Sequence, residues 1–586
     1  ERERERERER EIRLKMPRPP TNSTKKLKHV RLASAQTIGL IVAALTMSSC
    51  QLDTVLTLPL ATSSSIPSVN ILDNISGVLF SALNNLLDST KPLGGLGDSH
   101  FDLGDECVRN SATNNGSTSS SSCLPQDPDA GRTVPEIIES RGFKVEELPV
   151  VTKDGYILTM HRILNPLVSH EERRHSLKPI ILQHGLMTSS VDWVINSMDI
   201  KPRRPTRLVK RKRSASANDT AAAVGEGSPR RRHRHRHGHG HAHRARSRHH
   251  SNGDGPSDHP NGLGFYLANE GYDVFLANSR GNHYGQRHVN MSAWEPRFWD
   301  FTFDQQIKYD LPATVEHVQR VTGYRKKLAF VGHSQGTAMM LGLLAERPDY
   351  ADVFEPIIML APVAFVGNVV SPARYFASYT PIFQHVNTWF GSSTTAVRYL
   401  APMVCGPQVI RKELCTNLIF LSSGFNEAEF NATRLSAYLA HLPSGTSVKN
   451  LAHYGQEVNS GRFAHFDYGT RYLNEKEYGQ PEAPDYPLER VRSRSLVFFT
   501  ADNDWLATPK DVAKLRASLR VKPYRTYNMT EFMPKWNHVD FMYGKNSGRL
   551  VNTRILEVLR EFDNDDEYED NSSNNNNNED NHASDR

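Results

Sequence analysis

Residues 328–341 read LAFVGHSQGTAMML. The apolar residues 328–331 predict a buried strand, and the small and apolar residues after the glycines predict a helix. Between them lies a Gly-x-Ser-x-Gly turn, in which Gly332 and Gly336 let the backbone bend tightly around Ser334. A strand, a sharp turn and a helix in this order lift the serine hydroxyl clear of the sheet. The stretch therefore predicts an α/β fold in which Ser334 is a candidate nucleophile.

A serine nucleophile of this kind needs an acid and a histidine, which follow it in that order along the chain. The run LVFF at 496–499 predicts a buried strand, and the loop after it contains Asp502 and Asp504. The later sequence WNHVDF at 536–541 places His538 in a short loop before a terminal helix. An aspartate in a polar loop is usually a turn former, and most histidines have no catalytic role. The order of these residues after the serine turn favours a catalytic set, although spacing alone leaves both aspartates open.

Two backbone N–H groups are expected to stabilise the negative charge on a carbonyl oxygen under attack. One belongs to Gln335, directly after the candidate nucleophile. The other is expected in the loop after an earlier strand. The sequence PIILQ at 179–183 predicts such a strand, and the His184-Gly185 step after it can turn the N–H of Leu186 toward the serine. His-Gly is also a common turn, and its position after this strand favours the functional interpretation.

Longer segments carry a specific resemblance. They are DGYILTMHRI (154–163), LQHGLMTSSVDW (182–193), LGFYLANEGYDVFLANSRGN (263–282), FWDFTFDQ (298–305), KYDLPATVEHV (308–318), VGHSQGT (331–337), SGFNEAEFNATRLSAYLAHLPSGTSVKN (423–450) and WNHVDF (536–541). In these segments the chain resembles the acid lipase family, which includes lysosomal acid lipase and gastric lipase. The segments follow the family's order through most of residues 133–562. By position, the resemblance implies Ser334 as the nucleophile, His538 as the base and Asp504, rather than Asp502, as the acid.

The resemblance also implies an α/β-hydrolase fold, with a mostly parallel sheet, helices on both faces and an inserted cap or lid domain. The alternation of predicted strands and helices points to the same kind of sheet. By resemblance, Leu186 and Gln335 would be the oxyanion donors, and Cys405 and Cys415 would form a disulfide, as the family has one at similar spacing.

The function that the resemblance implies is hydrolysis of neutral lipid esters such as triacylglycerols or cholesteryl esters at a lipid–water interface. No metal, organic cofactor or nucleic-acid partner is expected. One rival is a soluble carboxylesterase or thioesterase without interfacial preference. Another, from a different class, is a non-catalytic binding protein on a hydrolase scaffold, against which the complete set of catalytic residues counts.

Composition divides the chain into segments with different expected roles. They are a low-complexity and basic N-terminus (1–24), a signal peptide (25–50), a disordered leader or propeptide (51–132), the first part of the hydrolase core (133–366), the cap or lid (367–488), the second part of the core (489–562) and a disordered tail rich in Asn and Asp (563–586). The cap begins with an aromatic stretch at 375–390. This stretch is either ordinary core packing or the apolar face of a lid that meets acyl chains and the lipid surface.

The formal net charge of +6 conceals a strongly basic segment. Residues 201–250 contain 16 Lys and Arg and two acidic residues. They fall in an insert, 198–258, that interrupts the family pattern and has almost no large apolar residues, so it is expected to be disordered. It is either tolerated low complexity or a His-rich cationic arm that contacts anionic lipid surfaces near the site. The run KRKR at 210–213 is also a candidate processing site.

A basic stretch followed by a short apolar run in residues 25–50 predicts a signal peptide, with Met16 as a plausible start. The apolar run is too short to span a bilayer comfortably, so a membrane anchor is the lesser alternative. A secreted or lysosomal location is therefore expected. Asn290, Asn431 and Asn528 lie in sequons of the hydrolase region and are candidate glycosylation sites.

Overall fold

The computed structural model describes residues 127–197, 199–206, 260–390, 420 and 422–563. The predicted signal peptide, Cys405, Cys415 and most of the basic insert lie outside these residues. Among the described residues, no helix combines the length and the apolar character needed to cross a bilayer.

A nine-stranded mixed sheet forms the centre of the described part of the chain. Its order is β1-β2-β4-β3-β6-β7-β10-β11, with β5 paired to β2. Strands β4 through β11 of this path run parallel, whereas β1, β2 and β5 pair antiparallel. The strands are β1 (Lys144–Val151), β2 (Tyr156–Leu164), β3 (Lys178–Gln183), β4 (Tyr272–Ala277), β5 (Arg287–His288), β6 (Leu328–His333), β7 (Phe354–Leu360), β8 (Trp389–Phe390), β9 (Thr446–Ser447), β10 (Leu496–Thr500) and β11 (Arg525–Asn528).

Helices occupy most of the crossover connections between the parallel strands. They are α1 (Val134–Ser140), α2 (His170–Ser176), α3 (Leu263–Glu270), α4 (Phe303–Gln305), α5 (Leu311–Thr322), α6 (Gln335–Glu346), α7 (Thr380–Phe383), α8 (Leu435–His441), α9 (Val448–Ser460), α10 (Arg471–Tyr478), α11 (Pro509–Ser518), α12 (Asp540–Tyr543) and α13 (553–563). Parallel strands need such crossovers, because a tight turn cannot return the chain in the same direction. The predicted α/β-hydrolase fold class is confirmed.

The central strands are buried along their whole length, and mostly apolar, because both faces of the sheet are covered. All six residues of β3, β4 and β6 are buried, whereas β1, near the edge, is mostly exposed or half-buried. Strands covered on both faces read as continuous apolar runs rather than alternating ones. The runs around residues 180, 275 and 330 are therefore signals of a covered parallel sheet.

The described residues begin at 127, before residue 133, the predicted beginning of the core. Asp129 is buried and pairs with Arg141 at the end of α1 and with Arg434 just before α8, at 2.7 Å for the second pair. Burial would raise its pKa, but hydrogen bonds from both arginines lower it to about 2. The prediction of a disordered leader through residue 132 was wrong for residues 127–132, because a buried ion cluster fixes them to α1 and to Arg434 in the predicted cap.

The start of the basic insert also differs from the prediction. Residues 199–206 pack on the core, with Ile200 buried. The side chain of Asn269 donates to the carbonyl of Lys201 and accepts from the N–H of Arg203, both at 2.9 Å. Disorder from residue 198 was therefore the wrong expectation for these first residues, whose backbone groups find partners on α3.

The region predicted as the cap, residues 367–488, departs from the strand–helix alternation. In its described residues the longest helix is α9, with 13 residues. It packs beside the helical turn Pro372–Tyr379, where Asn459 donates to the carbonyl of Ala377 at 2.7 Å. Strands β8 and β9 form a separate two-stranded antiparallel sheet in this region. The exact limits of the cap stay a prediction.

Candidate active site

Ser334 occupies the turn between β6 and α6 and has an unusual backbone conformation, with φ 53° and ψ −119°. A side chain with positive φ is strained by about 1–3 kcal/mol, and the surrounding structure holds it there. Its N–H donates to the carbonyl of Leu360 at the end of β7, at 3.0 Å. The turn also needs Gly336, because a Cβ at that position would lie 2.6 Å from the carbonyl oxygen of Gln183. The strand, turn and helix predicted from sequence are all present.

Three polar side chains from separate parts of the chain meet at this turn. His538 Nε2 lies 2.8 Å from Ser334 Oγ, and His538 Nδ1 lies 2.9 Å from Asp504 Oδ2. His538 and Asp504 are buried, with exposed fractions of 3% and 2%, while Ser334 is partly accessible. An imidazole placed between a hydroxyl and a buried carboxylate can take a proton from the hydroxyl.

The loop after β10 distinguishes the two aspartates that spacing left open. Asp504 Oδ1 accepts hydrogen bonds from the N–H groups of Leu506 and Ala507, at 2.9 and 2.8 Å. These bonds fix the carboxylate with both of its oxygens within 3.0 Å of His538 Nδ1. Asp502 is exposed and accepts instead from the side chain of Asn528 at 3.2 Å. The structure thus brings Asp504, and not Asp502, to His538.

The loop after β3 passes directly beside Ser334. A Cβ on Gly185 would lie only 3.1 Å from the Cβ of Ser334. The ring of His184 orients this loop: its Nε2 accepts from the N–H of Ser279 and from Asn282 Nδ2, both at 3.1 Å. Burial lowers the pKa of His184 to about 4, so the ring is neutral and its proton sits on Nδ1.

The proton on His184 Nδ1 determines the direction in which the N–H of Leu186 points. His184 Nδ1 donates to the carbonyl of Gly185 at 2.7 Å, and Thr188 Oγ1 donates to the same oxygen at 3.2 Å. In a trans peptide the C=O and the following N–H point in opposite directions. The N–H of Leu186 is therefore directed away from the His184 ring, and no acceptor for it lies in the described part of the chain.

The side chain of Gln335 is fixed from two sides. Its Nε2 donates to Gln306 Oε1 at 2.8 Å, and its Oε1 accepts from Asn450 Nδ2 at 3.0 Å. Asn450 is completely buried and belongs to α9 of the predicted cap. The residue after the serine is thus held jointly by the core and by a helix of the predicted cap.

A second histidine, His333, supports the backbone of the first. Burial lowers its pKa to about 3, so its ring is neutral, and Nε2 lies 3.0 Å from the carbonyl oxygen of His538. A carbonyl only accepts, so Nε2 carries the proton and donates. The sequence places His333 in the serine turn but does not predict a partner for its ring. No local pattern indicates that the ring would contact the backbone of His538.

A buried carboxyl group follows His538 by two residues. Burial raises the pKa of Asp540 to about 7, and the carboxylates of Glu429 and Asp504 add to this shift. Hydrogen bonds from Asn426 Nδ2 and from the N–H of Asn537 oppose it, at 2.7 and 2.9 Å. In an unfolded chain the same carboxyl titrates near its ordinary pKa of about 4.

Asp540→Asn should therefore gain stability relative to the native protein as pH rises. Between the two pKa values the folded state binds more protons than the unfolded state, so the contribution of Asp540 to stability falls as pH rises toward 7. Asparagine has no charge to bury. The melting temperature of Asp540→Asn minus that of the native protein should increase from pH 5 to pH 8, measured by calorimetry. The buried histidines are common to both proteins and cancel in the difference. Asp199→Asn, at an exposed position, should show a flat difference, and a flat difference for Asp540→Asn would contradict the assignment.

The described residues contain no group of three or more His, Cys, Asp or Glu side chains arranged to hold a metal ion.

Of the sequons in this region, Asn290 is exposed, whereas Asn431 and Asn528 are half-buried. Asn528 Nδ2 also donates to Asp502. Asn290 is thus the most accessible of the three candidate glycosylation sites.

Comparison with known proteins finds relatives along most of the chain. Residues 134–197 match the family described as a partial alpha/beta-hydrolase lipase region. Over 445 residues the chain is 32% identical to a putative lysosomal acid lipase/cholesteryl ester hydrolase of Crotalus adamanteus, covering 74% of this chain and 92% of that protein. The chain belongs to the acid lipase family. It is also 31% identical to gastric triacylglycerol lipase of Bos taurus, covering 75% of this chain and 94% of that protein.

A third relative is human lipase member M, 30% identical over 443 residues, covering 74% of this chain and 87% of that protein. As in the resemblance found from sequence, the likeness extends well beyond the serine turn. This acid lipase family member therefore shares nearly the whole length of its relatives, and the segments 1–126 and 564–586 flank the part of the chain described by the structure.

Proposed function

We propose that this protein is a serine ester hydrolase that cleaves neutral lipid esters, such as triacylglycerols or cholesteryl esters. One observation carries the proposal. The Nε2 and Nδ1 atoms of His538 lie within hydrogen-bond distance of Ser334 Oγ and of the Asp504 carboxylate at the same time. The names of the relatives, which include a cholesteryl ester hydrolase and a triacylglycerol lipase, support the substrate class.

In the first half of the reaction, Ser334 Oγ attacks the carbonyl carbon of the ester as His538 Nε2 takes its proton. Asp504 holds Nδ1–H toward itself and stabilises the imidazolium that forms. The tetrahedral intermediate then collapses, and His538 gives the proton to the departing alcohol oxygen. The products of this half are a free alcohol and an acyl group on Ser334.

The negative charge on the tetrahedral intermediate is stabilised by the N–H groups of Leu186 and Gln335. The orientation of the Gly185 carbonyl toward His184 supports this role for Leu186, because it turns the next N–H the other way. In the second half, His538 activates a water molecule that attacks the acyl-enzyme, and the same two N–H groups stabilise the second intermediate. The fatty acid then leaves and Ser334 recovers its proton.

The proposal is tested by measuring hydrolysis of emulsified triolein and of cholesteryl oleate from pH 4 to pH 8, with labelling of the serine by a lipid-like phosphonate. Turnover of either emulsion together with labelling of Ser334 is the expected result. Hydrolysis of water-soluble esters alone would favour the carboxylesterase or thioesterase alternative. An absence of both labelling and turnover would favour the non-catalytic binding protein.

The cap carries an exposed apolar face suited to a lipid surface. In the turn Pro372–Tyr379 and in α7, the exposed fractions of Tyr375, Tyr379 and Ile382 are 61%, 53% and 54%. Val370 and Phe383 extend the exposed apolar surface. Scattered exposed apolar residues are normal, but several in one short segment indicate an interaction surface. We assign this face, the lid face, to contact with substrate droplets.

Replacing Tyr375 and Ile382 by serine should lower the rate on emulsified triolein while leaving the rate on a dissolved short-chain ester unchanged. Each replacement removes apolar area that would leave water on contact with the droplet, at about 25 cal/mol per Å². We expect a fall of roughly tenfold at low droplet concentration, recovered at high concentration. Trp294→Ser, at an 82% exposed aromatic outside the cap, is the matched control. Equal losses on both substrates would contradict a role at the interface.

We also propose that the protein acts in the secretory route, either outside the cell or in the lysosomal lumen. The predicted signal peptide and the relatives named as lysosomal or gastric lipases support this. The Cys405–Cys415 bridge and the contact of the basic insert with lipid surfaces remain predictions, since both cysteines and most of the insert lie outside the described residues.

A further inference from the structure

Four residues of the predicted cap, Ser423 to Asn426, lie between the loop that carries the catalytic acid and the loop that carries the catalytic base. The carbonyl oxygen of Ser423 accepts from the N–H of Trp505, next to Asp504, and from the N–H of His538 itself, both at 3.4 Å. A single carbonyl therefore contacts both loops. These two hydrogen bonds are long, so they hold the two loops only together with the contacts that the neighbouring residues make.

Gly424 contacts the turn that presents the imidazole. Its carbonyl oxygen accepts from Asn537 Nδ2 at 2.8 Å. The other end of the Asn537 side chain accepts from the N–H groups of Val539 and Asp540, both at 3.0 Å. The Asn537 side chain therefore links the cap segment to the backbone around His538. Asn537 is completely buried, so water does not compete for these hydrogen bonds.

Asn426 and Phe425 complete the contacts. Asn426 Nδ2 donates to Asp540 Oδ2 at 2.7 Å, and the same oxygen accepts from the N–H of Asn537 at 2.9 Å. The carbonyl of Phe425 accepts from Asn503 Nδ2 at 3.1 Å, in the acid loop. The Phe425 ring also packs edge-on against Trp505, with centroids 5.5 Å apart.

The backbone at Gly424 permits this arrangement. Its φ is +113°, in a region that side chains rarely adopt. A Cβ there would lie 2.3 Å from the carbonyl oxygen of Asn503 and 3.0 Å from the Cβ of Asn537. Any side chain at this position would therefore push the acid loop and the base loop apart.

We propose that residues 423–426 are a positioning clamp that holds the Asp504 and His538 loops at the spacing that proton transfer from Ser334 requires. This inference rests on the proposed hydrolase function. None of the four residues is assigned contact with the substrate. They act through His538 and Asp504, and they make part of the cap chain a structural element of the catalytic centre.

Gly424→Ala is expected to lower kcat about 10- to 100-fold while KM changes less than about threefold, because displacement of a catalytic group by about 1 Å costs on the order of 100-fold in rate. The rate of phosphonate labelling of Ser334 should fall in parallel. The matched control is Gly479→Ala. Gly479 also has a positive φ, of 72°, but a Cβ there would meet nothing within 4 Å. The control carries the same kind of backbone strain without the clash, so its kcat should stay within about twofold.

Asn426→Ala provides a second variant if Gly424→Ala does not fold. It removes the donor to Asp540 without adding an atom, and we expect kcat to fall about 3- to 30-fold at constant KM through the loss of one buried hydrogen bond. If Gly424→Ala and Asn426→Ala fold and match Gly479→Ala in kcat and labelling rate, the clamp is disproved. If the native protein is neither labelled nor active on any ester, the proposed function itself fails, which is a distinguishable outcome.

Discussion

Ser334→Ala should abolish ester hydrolysis, with a loss on the order of a millionfold in kcat. The alanine has no oxygen to attack the ester carbon, and water held in its place lacks the orientation that the turn gives to Oγ. His538→Ala should be about as damaging, because the members of a triad act as a unit and removing one disables the others. Turnover of a soluble chromogenic ester measures both losses, since it does not depend on the lipid interface.

The fold should survive both changes. Among the described residues, the Ser334 hydroxyl makes one side-chain hydrogen bond, the one to His538. Far-ultraviolet circular dichroism and thermal unfolding should therefore match the native protein within a few degrees. Retention of more than about a thousandth of the native rate by purified Ser334→Ala would mean that another residue is the nucleophile.

Asp504→Asn should lower kcat on the order of 10⁴-fold through the tautomer of His538. Asp504 Oδ1 accepts from the N–H groups of Leu506 and Ala507, so in the variant the amide oxygen is held at that position. The amide nitrogen then occupies the place of Oδ2, 2.9 Å from His538 Nδ1. That nitrogen only donates, so it favours an Nδ1 that accepts and a ring proton on Nε2, while the amide oxygen, 3.0 Å from Nδ1, is already engaged by two N–H groups. An Nε2 that carries a proton cannot take one from Ser334.

Asp502→Asn is the matched control for this prediction. Asp502 is exposed, two residues away in the same loop, and its carboxylate faces Asn528 rather than the histidine. Its replacement should change kcat by no more than about twofold, as expected for an exposed substitution outside the site. A damaging Asp502→Asn together with an active Asp504→Asn would reverse the assignment of the acid.

Much of the fold could be predicted from sequence because its signals are local. The buried runs at β3, β6 and β10 are continuous apolar stretches, which a sheet covered on both faces requires. The Gly-x-Ser-x-Gly turn is also a local signal, and it marks the end of β6. Residues 127–132 and 199–206 were assigned wrongly because they have no apolar periodicity. Their order comes from long-range partners, such as Arg434 for Asp129 and Asn269 for Lys201.

Sequence by itself determined the strand–turn–helix that places Ser334, and through the family resemblance it selected Asp504 and His538 as the partners. Only the tertiary structure decided which groups hold these residues in place. Three contacts join residues far apart in the chain: the bonds that His184 Nε2 accepts from the loop after β4, the bond from His333 Nε2 to the His538 carbonyl, and the bond from Asn537 to Gly424. Such partners leave no local pattern, because a buried polar group is satisfied by whatever the folded chain brings within about 3 Å, irrespective of sequence distance.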